Sequence, residues 1–530
     1  MSLSYNVSGY GEETIVSDAK LPPRWRDLIS SIGGADTLGE VKGFSDLVPD
    51  FLTMTPHPGL SCVLLSIVVA HGQSSIIGTD KPTTPPLFTD RPFMVAWSAP
   101  TQSCSTRFNV SLDLRLFDLT GSPSEGMVDQ DPTIFYRERL GLYPYYDQLN
   151  ISINGGVPQN ASLQDHLLKM VDGLNKYIPF NNKSGLAIID WEDWNPIWLR
   201  NWNTKDIYRQ ASRQLVASRH PDWLANDVNT EAQVEFEKAA RDFMVETLQQ
   251  ARKYRPRQLW GYYLFPDCYN HDYMTNWDNY TGKCPNVEMS RNDQLWWLWE
   301  ESEALYPSIY LEPPLQSSIN GRKFVQYRVK EAMRIAQQHT GYSLPVYVFT
   351  RPTYKTNLDL LSQMDLISTI GESAAQGVTG MIFWGDTDYG TDKETCLKLK
   401  SYLDGDLGRY IVNVTTAASL CSQALCGGNG RCQRQENRTD AFLHLNPANF
   451  IIIRALPGFS STVPRWVQGQ LSESDISNLR SRFQCQCYVG WSGTTCNIPP
   501  PSTSNPVGAA ASPTGHVLVW LLMAYLWIFL

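Results

Sequence analysis

Residues 185–194 read GLAIIDWEDW, and this stretch decides the predicted fold. Its apolar half, GLAII, is typical of a strand that is buried on both faces, and the run ends abruptly at Asp190. While the chain stays extended, residues two apart share a face, so Asp190 and Glu192 point to one side and Asp193 to the other. Two neighbouring carboxyl groups raise the pKa of one of them, which can then protonate a leaving group. The alternative is a helix N-terminus, where the helix dipole favours acidic residues.

On either side of this stretch, between residues 92 and 407, apolar strand-like runs alternate with amphipathic helices. This order builds βαβ units, and it favours an α/β fold closed into a TIM-like barrel over an open sheet. The active site of such a barrel lies at the carboxyl ends of the strands, where Asp190 stands. The predicted strands cover residues 93–97, 186–189, 259–265, 346–349 and 381–384.

Two helices are predicted between these strands. The first covers residues 230–254, with Thr230 and Gln233 spaced as a capping box and Pro256 just beyond its end. The second covers residues 323–338 and precedes the strand at 346–349.

Composition and charge exclude several classes of function. Hydrophobic residues make up 42% of the 530-residue chain and charged residues 18%, which is typical of a globular protein and not of a disordered one. The net charge of −9 repels polyanions, so nucleic acid is not an expected partner. The sequence contains no HExxH, G-x-S-x-G, P-loop or G-x-G-x-x-G motif, and we therefore expect neither a metal nor another cofactor.

Residues 54–72 have the features of a secretory signal peptide. Met54 begins it, residues 60–70 are mostly apolar, and Ala70 and Gly72 form a small-x-small cleavage site. We therefore expect residues 1–53 to be an upstream extension that is absent from the mature protein. The alternative is a cytoplasmic tail on an uncleaved anchor, but the apolar segment is shorter than the about 20 residues that span a bilayer.

The C-terminal residues have the order of a GPI-attachment signal. Small residues are followed by a polar spacer and then by an apolar run, 517–530, with no Lys or Arg after it. We expect a Pro/Ser linker at 499–508, a GPI lipid on Gly508 with Ser504 as the alternative, and removal of residues 509–530. A single transmembrane segment is the other interpretation, which the missing basic flank disfavours.

Cysteines and glycosylation sequons point to the secretory pathway. Cys62 would leave with the signal peptide, and the other ten of the 11 cysteines allow five disulfides. Together with the predicted lipid, these features favour the cell surface, with the lysosome as the alternative compartment. The N-x-[ST] sequons after Met54 are at Asn109, Asn150, Asn160, Asn182, Asn279, Asn413 and Asn437.

The composition changes after residue 412, where closely spaced cysteines replace the strand and helix pattern. We therefore predict a barrel domain at residues 73–412 and a separate module at 413–498. The last six cysteines end in C-x-C-x8-C with an intervening Gly-Trp, and this pattern resembles an EGF-like module. The gap of 52 residues between Cys432 and Cys485 exceeds that of a plain EGF repeat and predicts an insertion.

Several long motifs resemble the vertebrate hyaluronidases, a family of glycoside hydrolases. They are GLAIIDWEDW, TKDIYRQ, RPRQLWGYYLFPDCYN, RNDQL, LYPSIY and STIGESAAQGVTG, and the resemblance covers residues 90–497. It implies a distorted (β/α) barrel that hydrolyses β-1,4 N-acetylhexosaminidic bonds in hyaluronan. It also implies retention of configuration, with the substrate's own acetamido group acting in place of an enzyme nucleophile.

The resemblance assigns roles to individual residues. Glu192 matches the acid/base of the family, and Asp190 matches the residue that orients the acetamide and stabilises its positive charge. Arg328 matches a groove arginine that would attract a substrate carboxylate. Aromatic residues would contact the sugars, as rings pack on pyranose C–H faces; they are Tyr263 at the acetamide, Tyr310 and Trp384 at the cleavage subsite, and Tyr136 along the groove.

The resemblance also implies a pairing for the ten mature cysteines. The pairs are Cys104–Cys396, Cys268–Cys284, Cys421–Cys432, Cys426–Cys485 and Cys487–Cys496.

Three departures from the family pattern predict weaker catalysis or a displaced pH optimum. Asn195 stands where the family usually has an arginine, Asp386 adds a carboxylate two residues after Trp384, and Thr350 replaces a tyrosine found in some relatives. They motivate a second hypothesis, a surface protein that binds hyaluronan and cuts it slowly. A third hypothesis keeps the enzyme but makes chondroitin the preferred polymer.

Overall fold

The computed structural model describes residues 81–128, 130–455 and 464–500. The extension, the predicted signal peptide and Gly508 with its surrounding GPI signal lie outside these residues. Two parallel sheets organise the chain, and their strands are β1 (Met94–Ser98), β2 (Leu119–Gly121), β3 (Thr133–Tyr136), β6 (Gly185–Asp190), β7 (Gln258–Tyr262), β8 (Tyr347–Thr350) and β9 (Gly380–Trp384). The strand orders are β2-β1-β9-β8 and β3-β6-β7.

The predicted α/β class with a parallel sheet is confirmed. All five predicted strands are present as β1, β6, β7, β8 and β9, with ends displaced by at most three residues. Small antiparallel pairs lie outside the two sheets, and they are β4 (Tyr145–Tyr146) with β5 (Ser152–Ile153), β10 (Gly430–Arg434) with β13 (Phe483–Cys487), and β11 (Phe450–Arg454) with β12 (Arg465–Gly469).

The position of β6 in the sheet explains why its sequence is apolar without alternation. Leu186 and Ile188 join an inner cluster of buried side chains, whereas Ala187 and Ile189 pack in the larger cluster on the helix side. Both faces of the strand are therefore buried, which explains the unbroken apolar run before Asp190. Asp190 continues the inward-facing series, so its carboxyl group lies at the end of the inner cluster.

Helices surround the sheets. The structure has α1 (Gln102–Thr106), α2 (Leu163–Tyr177), α3 (Asp206–Arg219), α4 (Ala225–Tyr254), α5 (Asn286–Gln294), α6 (Trp296–Glu301), α7 (Ile319–Ala336), α8 (Gln363–Leu366), α9 (Glu372–Ala375), α10 (Lys393–Asp404), α11 (Asp406–Cys426) and α12 (Glu473–Arg482). A π-helical turn, Ile367–Gly371, joins α8 to α9, and 3-10 turns lie at Pro158–Asn160, Trp198–Arg200, Asn203–Lys205, Asp272–Met274, Pro313–Leu315 and Thr387–Gly390. In the described ranges, no helix combines the length and the apolar composition that a membrane span needs.

The predicted start of the long helix is wrong. Helix α4 begins at Ala225, so Thr230 lies in its second turn, where its hydroxyl donates to the Asn226 carbonyl at 3.0 Å. The Thr230–Gln233 spacing that suggested a capping box is therefore an interior spacing of the helix. The second predicted helix is present as α7, which begins and ends a few residues earlier than expected.

Hydrogen bonds connect the two sheets at both edges. Segment 304–310 lies between β7 and β8, where Tyr306 pairs with Tyr263 and Ser308 pairs with Phe349. At the other edge, the Asp131 amide donates to the Thr120 carbonyl at 3.1 Å, next to the start of β3.

The C-terminal cysteine-rich part is joined to the rest by helix α11. This helix runs through the boundary that was predicted between residues 412 and 413, so that boundary is wrong: the buried residues of α11 form one continuous face. The predicted insertion contains the β11–β12 hairpin and α12. The structure forms the same five disulfides that the family resemblance implies, including Cys104–Cys396, which links α1 to α10.

Asp131 fixes the start of β6, and we expect it to make stability depend on pH. Its carboxylate accepts the Leu186 amide at 3.0 Å, and a Cβ at Gly185 would collide with it. Burial raises the pKa of Asp131 to about 7, although the Leu186 hydrogen bond and the charge of Lys183 oppose this. The unfolded chain has an ordinary aspartate pKa of about 3.9, so the folded protein binds the proton more tightly and loses stability as pH rises from about 4 to 7.

Replacing Asp131 with Asn should remove this dependence. The free energy of unfolding of the variant, relative to wild type, should rise by about 1 to 3 kcal/mol between pH 4.5 and 8. Urea unfolding at each pH measures the difference, and Asp222→Asn at an exposed position is the control. Parallel pH profiles for wild type and Asp131→Asn would contradict the expectation.

Candidate active site

The two predicted catalytic acids lie together at the carboxyl end of β6. Asp190 is the last residue of this strand and pairs in register with Tyr136 of β3. Glu192 follows two residues later, and its carboxyl group shares a hydrogen bond with that of Asp190. Asp193 points elsewhere, since its carboxylate pairs with Arg137 at 2.7 Å. The sharing of one face by Asp190 and Glu192 therefore agrees with the strand alternation expected from the sequence.

Both acids have raised pKa values. Burial raises the pKa of Asp190 well above its ordinary range, and the negative charges of Glu192 and Asp193 add to this. Glu192 is accessible to solvent from the cleft, but protein surrounds its other sides, and the resulting loss of hydration raises its pKa as well. Because the groups are hydrogen-bonded, they titrate as a pair that retains one proton when two isolated carboxyl groups would both be ionised.

Four aromatic residues that the sequence singled out meet beside this pair. The rings of Tyr310 and Trp384 stack with centroids 6.1 Å apart and planes inclined by 18°, and we call these two residues the aromatic wall. The Trp384 indole donates to the Tyr136 hydroxyl at 3.1 Å, and the Tyr310 hydroxyl donates to that of Tyr263. All four side chains are half-buried, as expected of groups that line a cleft. Their ring faces can pack on the C–H faces of sugars.

Tyr263 keeps a neutral hydroxyl near the acids. Burial and the negative charges of Glu192 and Asp190 raise its pKa above the ordinary tyrosine value. Its hydroxyl also hydrogen-bonds with Ser308, a residue that the sequence analysis missed. Ser308 belongs to the segment that bridges β7 and β8, and it stands in the quoted LYPSIY motif, so a sequence signal for it existed.

The prediction for Arg328 is wrong, because its guanidinium is already used inside the protein. The side chain is only 7% exposed, and it donates to the carbonyls of Ser308 and Cys268 and to Asp267 at 2.8 Å. Burial opposes ionisation of Asp267, but the charges of Arg328 and Arg200 outweigh it and hold the Asp267 pKa below its usual value. Arg328 therefore positions the loop after β7 and does not reach a substrate.

Two lysines that the sequence analysis did not select lie near Glu192. The charges of Lys205 and Lys355 both favour ionised Glu192. Burial lowers the pKa of Lys205, whereas the negative charges of Glu192 and Asp193 oppose the change. Lys205 stands in the quoted TKDIYRQ motif, so a sequence signal for it existed. Lys355 lies outside the quoted motifs, and its side chain pairs with Glu312 at 3.4 Å.

The three departures from the family pattern have different surroundings. Asn195 shapes the turn after β6, since its side chain accepts the Ile197 amide at 3.0 Å. Thr350 ends β8 and is 1% exposed, so it cannot contact a substrate directly. Asp386 pairs with Arg351 at 2.8 Å, and this ion pair neutralises the added carboxylate.

The described residues also bear on metals and glycans. Over the ranges that the structure describes, no group of three His, Cys, Asp or Glu side chains has the geometry to hold a metal ion.

Six of the seven sequon asparagines are exposed, which suits glycan attachment. The exception is Asn413, which is half-buried on α11 and accepts the Leu445 amide at 3.0 Å.

Comparisons with known proteins agree with this geometry. Residues 82–499 match the hyaluronidase family of glycoside hydrolases. Hyaluronidase-2 of Homo sapiens is 56% identical over 418 residues, which are 78% of this chain and 88% of that protein; hyaluronidase-2 of Mus musculus is 55% identical over 421 residues, 79% and 88%. The structure of bee venom hyaluronidase in complex with a hyaluronic acid tetramer is 32% identical with a TM-score of 0.52, over 60% of this chain and 98% of that one. With a family match over most of its length and relatives above half identity, the chain belongs to the hyaluronidase family.

Proposed function

We propose that this protein is an endo-hydrolase that cuts the β-1,4 N-acetylhexosaminidic bonds of hyaluronan with retention of configuration. The observation that carries the proposal is the hydrogen-bonded Asp190–Glu192 pair at the carboxyl end of β6, which faces the aromatic wall. The hyaluronidase-2 relatives and the bee venom complex with a hyaluronic acid tetramer support the choice of substrate.

Glu192 is the acid and then the base of the proposed reaction. In the first step it donates the proton of the pair to the glycosidic oxygen, while the acetamide oxygen of the substrate attacks the anomeric carbon. In the second step the Glu192 carboxylate takes a proton from water, which attacks the same carbon and reopens the cyclic intermediate. Two inversions at one carbon give net retention.

Asp190 has a different role from Glu192. As a carboxylate it would accept the acetamide N–H and stabilise the positive charge that develops on the cyclic intermediate. This requires that the shared proton sits on Glu192 when the substrate is bound, which is the protonation state that acid catalysis needs. Tyr263, whose raised pKa keeps it a donor, would hydrogen-bond the acetamide oxygen.

We also propose the finer architecture. The bonds of segment 304–310 and of Asp131 support closure of the two sheets into a distorted TIM-like barrel. The paired β10 and β13, with three disulfides, support an EGF-like module that carries a long insertion. A GPI lipid on Gly508 would hold the protein at the cell surface, with the lysosome as the second compartment.

Two alternatives follow from specific observations. A hyaluronan receptor with slow turnover was motivated by Asn195 and Asp386, but the Arg351–Asp386 ion pair weakens the argument from Asp386. A chondroitin hydrolase would use the same acids, since chondroitin also carries an N-acetylhexosamine whose acetamide can react.

The test is an assay of new reducing ends released from hyaluronan, chondroitin and N-deacetylated hyaluronan by the full chain from a secretory host. We expect cleavage of hyaluronan, none of the deacetylated polymer, and a β-anomer as the first product by NMR. Binding of hyaluronan without release of ends would favour the receptor, and faster release from chondroitin would favour the third hypothesis. Equal cleavage of the deacetylated polymer would exclude the substrate-assisted mechanism.

A further inference from the structure

Arg351 lies directly against the aromatic wall. It follows the last residue of β8, and the centre of its guanidinium is 5.3 Å from the Trp384 ring and 5.9 Å from the Tyr310 ring. Its Nε donates to the Tyr389 hydroxyl at 3.3 Å and its Nη2 to Asp386 at 2.8 Å. Among the described residues, Nη1 has no hydrogen-bond partner, and this atom is not fully buried. Arg351 is only 7% exposed, like Arg328, but two of its three guanidinium nitrogens are occupied and the third keeps limited access to solvent.

Asp386 is the carboxylate partner of Arg351. Its Oδ2 binds Arg351, its Oδ1 accepts the Asp388 amide at 3.2 Å, and its side chain is 40% exposed. A guanidinium presents a planar fork that matches a carboxylate, and stacking on aromatic rings keeps this fork oriented. An exposed protein carboxylate on such a fork can be displaced by a carboxylate of a bound ligand.

We propose that Arg351 binds a uronate carboxylate of the substrate, and that Asp386 competes with the substrate for this arginine. The inference rests on the proposed function, because it requires a substrate with carboxylates near the aromatic wall. It places the substrate-binding cation at Arg351 in place of Arg328, whose guanidinium is enclosed by protein acceptors. Asp386 is then a carboxylate that lowers affinity for a polyanion by occupying its binding partner.

Competition and a purely structural ion pair predict opposite results. If the pair only held the β8 and β9 loops together, removal of either partner would impair the enzyme in the same direction. If Asp386 competes with the substrate, its removal improves binding, whereas removal of Arg351 weakens it. The direction of the change in affinity for hyaluronan in the two single variants therefore separates the two explanations.

The experiment measures kcat and KM for hyaluronan with Asp386→Asn, Arg351→Gln and the double variant of the full chain. Asn at 386 can still accept the Asp388 amide, so the turn is kept. We expect Asp386→Asn to lower KM about threefold to fivefold, the size of a partly exposed ion pair. Arg351→Gln should raise KM about tenfold to a hundredfold, the size of a hydrogen bond to a charged group. The kcat should change less than about twofold in both, since neither residue touches the reacting atoms.

Two controls remove general effects of charge. Asp388→Asn makes the same change in net charge two residues away, at an exposed side chain that does not contact Arg351, and it should leave KM unchanged. Hyaluronan oligosaccharides whose carboxyl groups are reduced to alcohols serve as competitive inhibitors, and their inhibition constant should not respond to Asp386→Asn. In the double variant, the gain from Asp386→Asn should disappear. Arg351→Lys, which keeps the charge but not the fork, should give an intermediate KM.

Several outcomes would overturn the inference while leaving the proposed function intact. They are a higher KM in Asp386→Asn, an equal gain in Asp388→Asn, or a gain that persists without Arg351, each in an enzyme whose wild type cleaves hyaluronan. If wild type binds hyaluronan but does not cleave it, dissociation constants replace KM and the same signs apply. A wild type that neither binds nor cleaves would overturn both proposals.

Discussion

Glu192→Gln is expected to lower kcat on hyaluronan by about a hundredfold to ten-thousandfold, the range that positioned acid–base catalysis supplies. The amide cannot deliver a proton to the glycosidic oxygen, and it cannot take one from water in the second step. The side chain reaches solvent, so the substitution leaves no cavity. Binding should be kept, because the aromatic wall and Tyr263 are unchanged, and KM should therefore move much less than kcat.

The measurement compares initial rates of reducing-end release with the thermal unfolding midpoint of each protein. Asp193→Asn is the matched control, since it removes one charge from the next residue, whose carboxylate pairs with Arg137; because that charge also raises the pKa of Asp190 and Glu192, each protein is compared at its own pH optimum. A folded Glu192→Gln protein with near-wild-type kcat would show that the assigned role is wrong.

The shared proton also sets the direction of the pH profile. The pKa values of Asp190 and Glu192 are both raised by burial, so the pair keeps its proton above the ordinary carboxyl range. Activity requires that proton on Glu192, and it should fall as pH rises through the upper apparent pKa of the pair. In wild type the fall should therefore begin at a higher pH than the titration of an exposed carboxylate.

Local sequence rules predicted the strands and the acids well, because their causes are local. A strand buried on both faces needs an unbroken apolar run, and alternation places Asp190 and Glu192 on one side whatever surrounds them. Neither these rules nor the family resemblance reveals a contact with a partner far along the chain. Arg328 resembled a groove arginine, yet Asp267 and two carbonyls from other segments enclose it.

The Arg351–Asp386 pair is a second tertiary contact that the sequence does not reveal. Each residue follows a strand end, so each could be assigned to the cleft, but their pairing depends on β8 and β9 being neighbours. Sequence reasoning therefore treated Asp386 as an added negative charge, whereas the structure shows it neutralised. The domain boundary at 412/413 failed for a related reason, because a change in cysteine content coincided with the middle of a helix.

The loss of Glu372 is expected to destabilise the fold strongly. This residue begins α9, its side chain is 0% exposed, and Arg434 of β10 forms a two-pronged ion pair with it. Arg322 of α7 adds a second contact at 3.4 Å, and Gln376 donates to the same carboxylate at 3.0 Å. The carboxylate thereby connects α7 and α9 to the cysteine-rich part of the chain.

Glu372→Gln should lower the free energy of unfolding by about 3 to 5 kcal/mol, because it leaves the buried guanidinium of Arg434 and the half-buried guanidinium of Arg322 without their counter-charge. Urea unfolding and secreted yield measure the effect, and the folded fraction should keep its KM for hyaluronan. Glu436→Gln is the control, since the Lys330–Glu436 pair also joins α7 to this part of the chain but is exposed on both sides. Such exposed pairs contribute at most about 1 kcal/mol.

If Glu372→Gln fails to fold, Arg434→Lys, which keeps the charge but loses the fork, should show a smaller loss in the same direction. Unfolding curves equal to wild type for both variants would mean that packing of α11 and the disulfides, and not this buried ion pair, hold the two parts together.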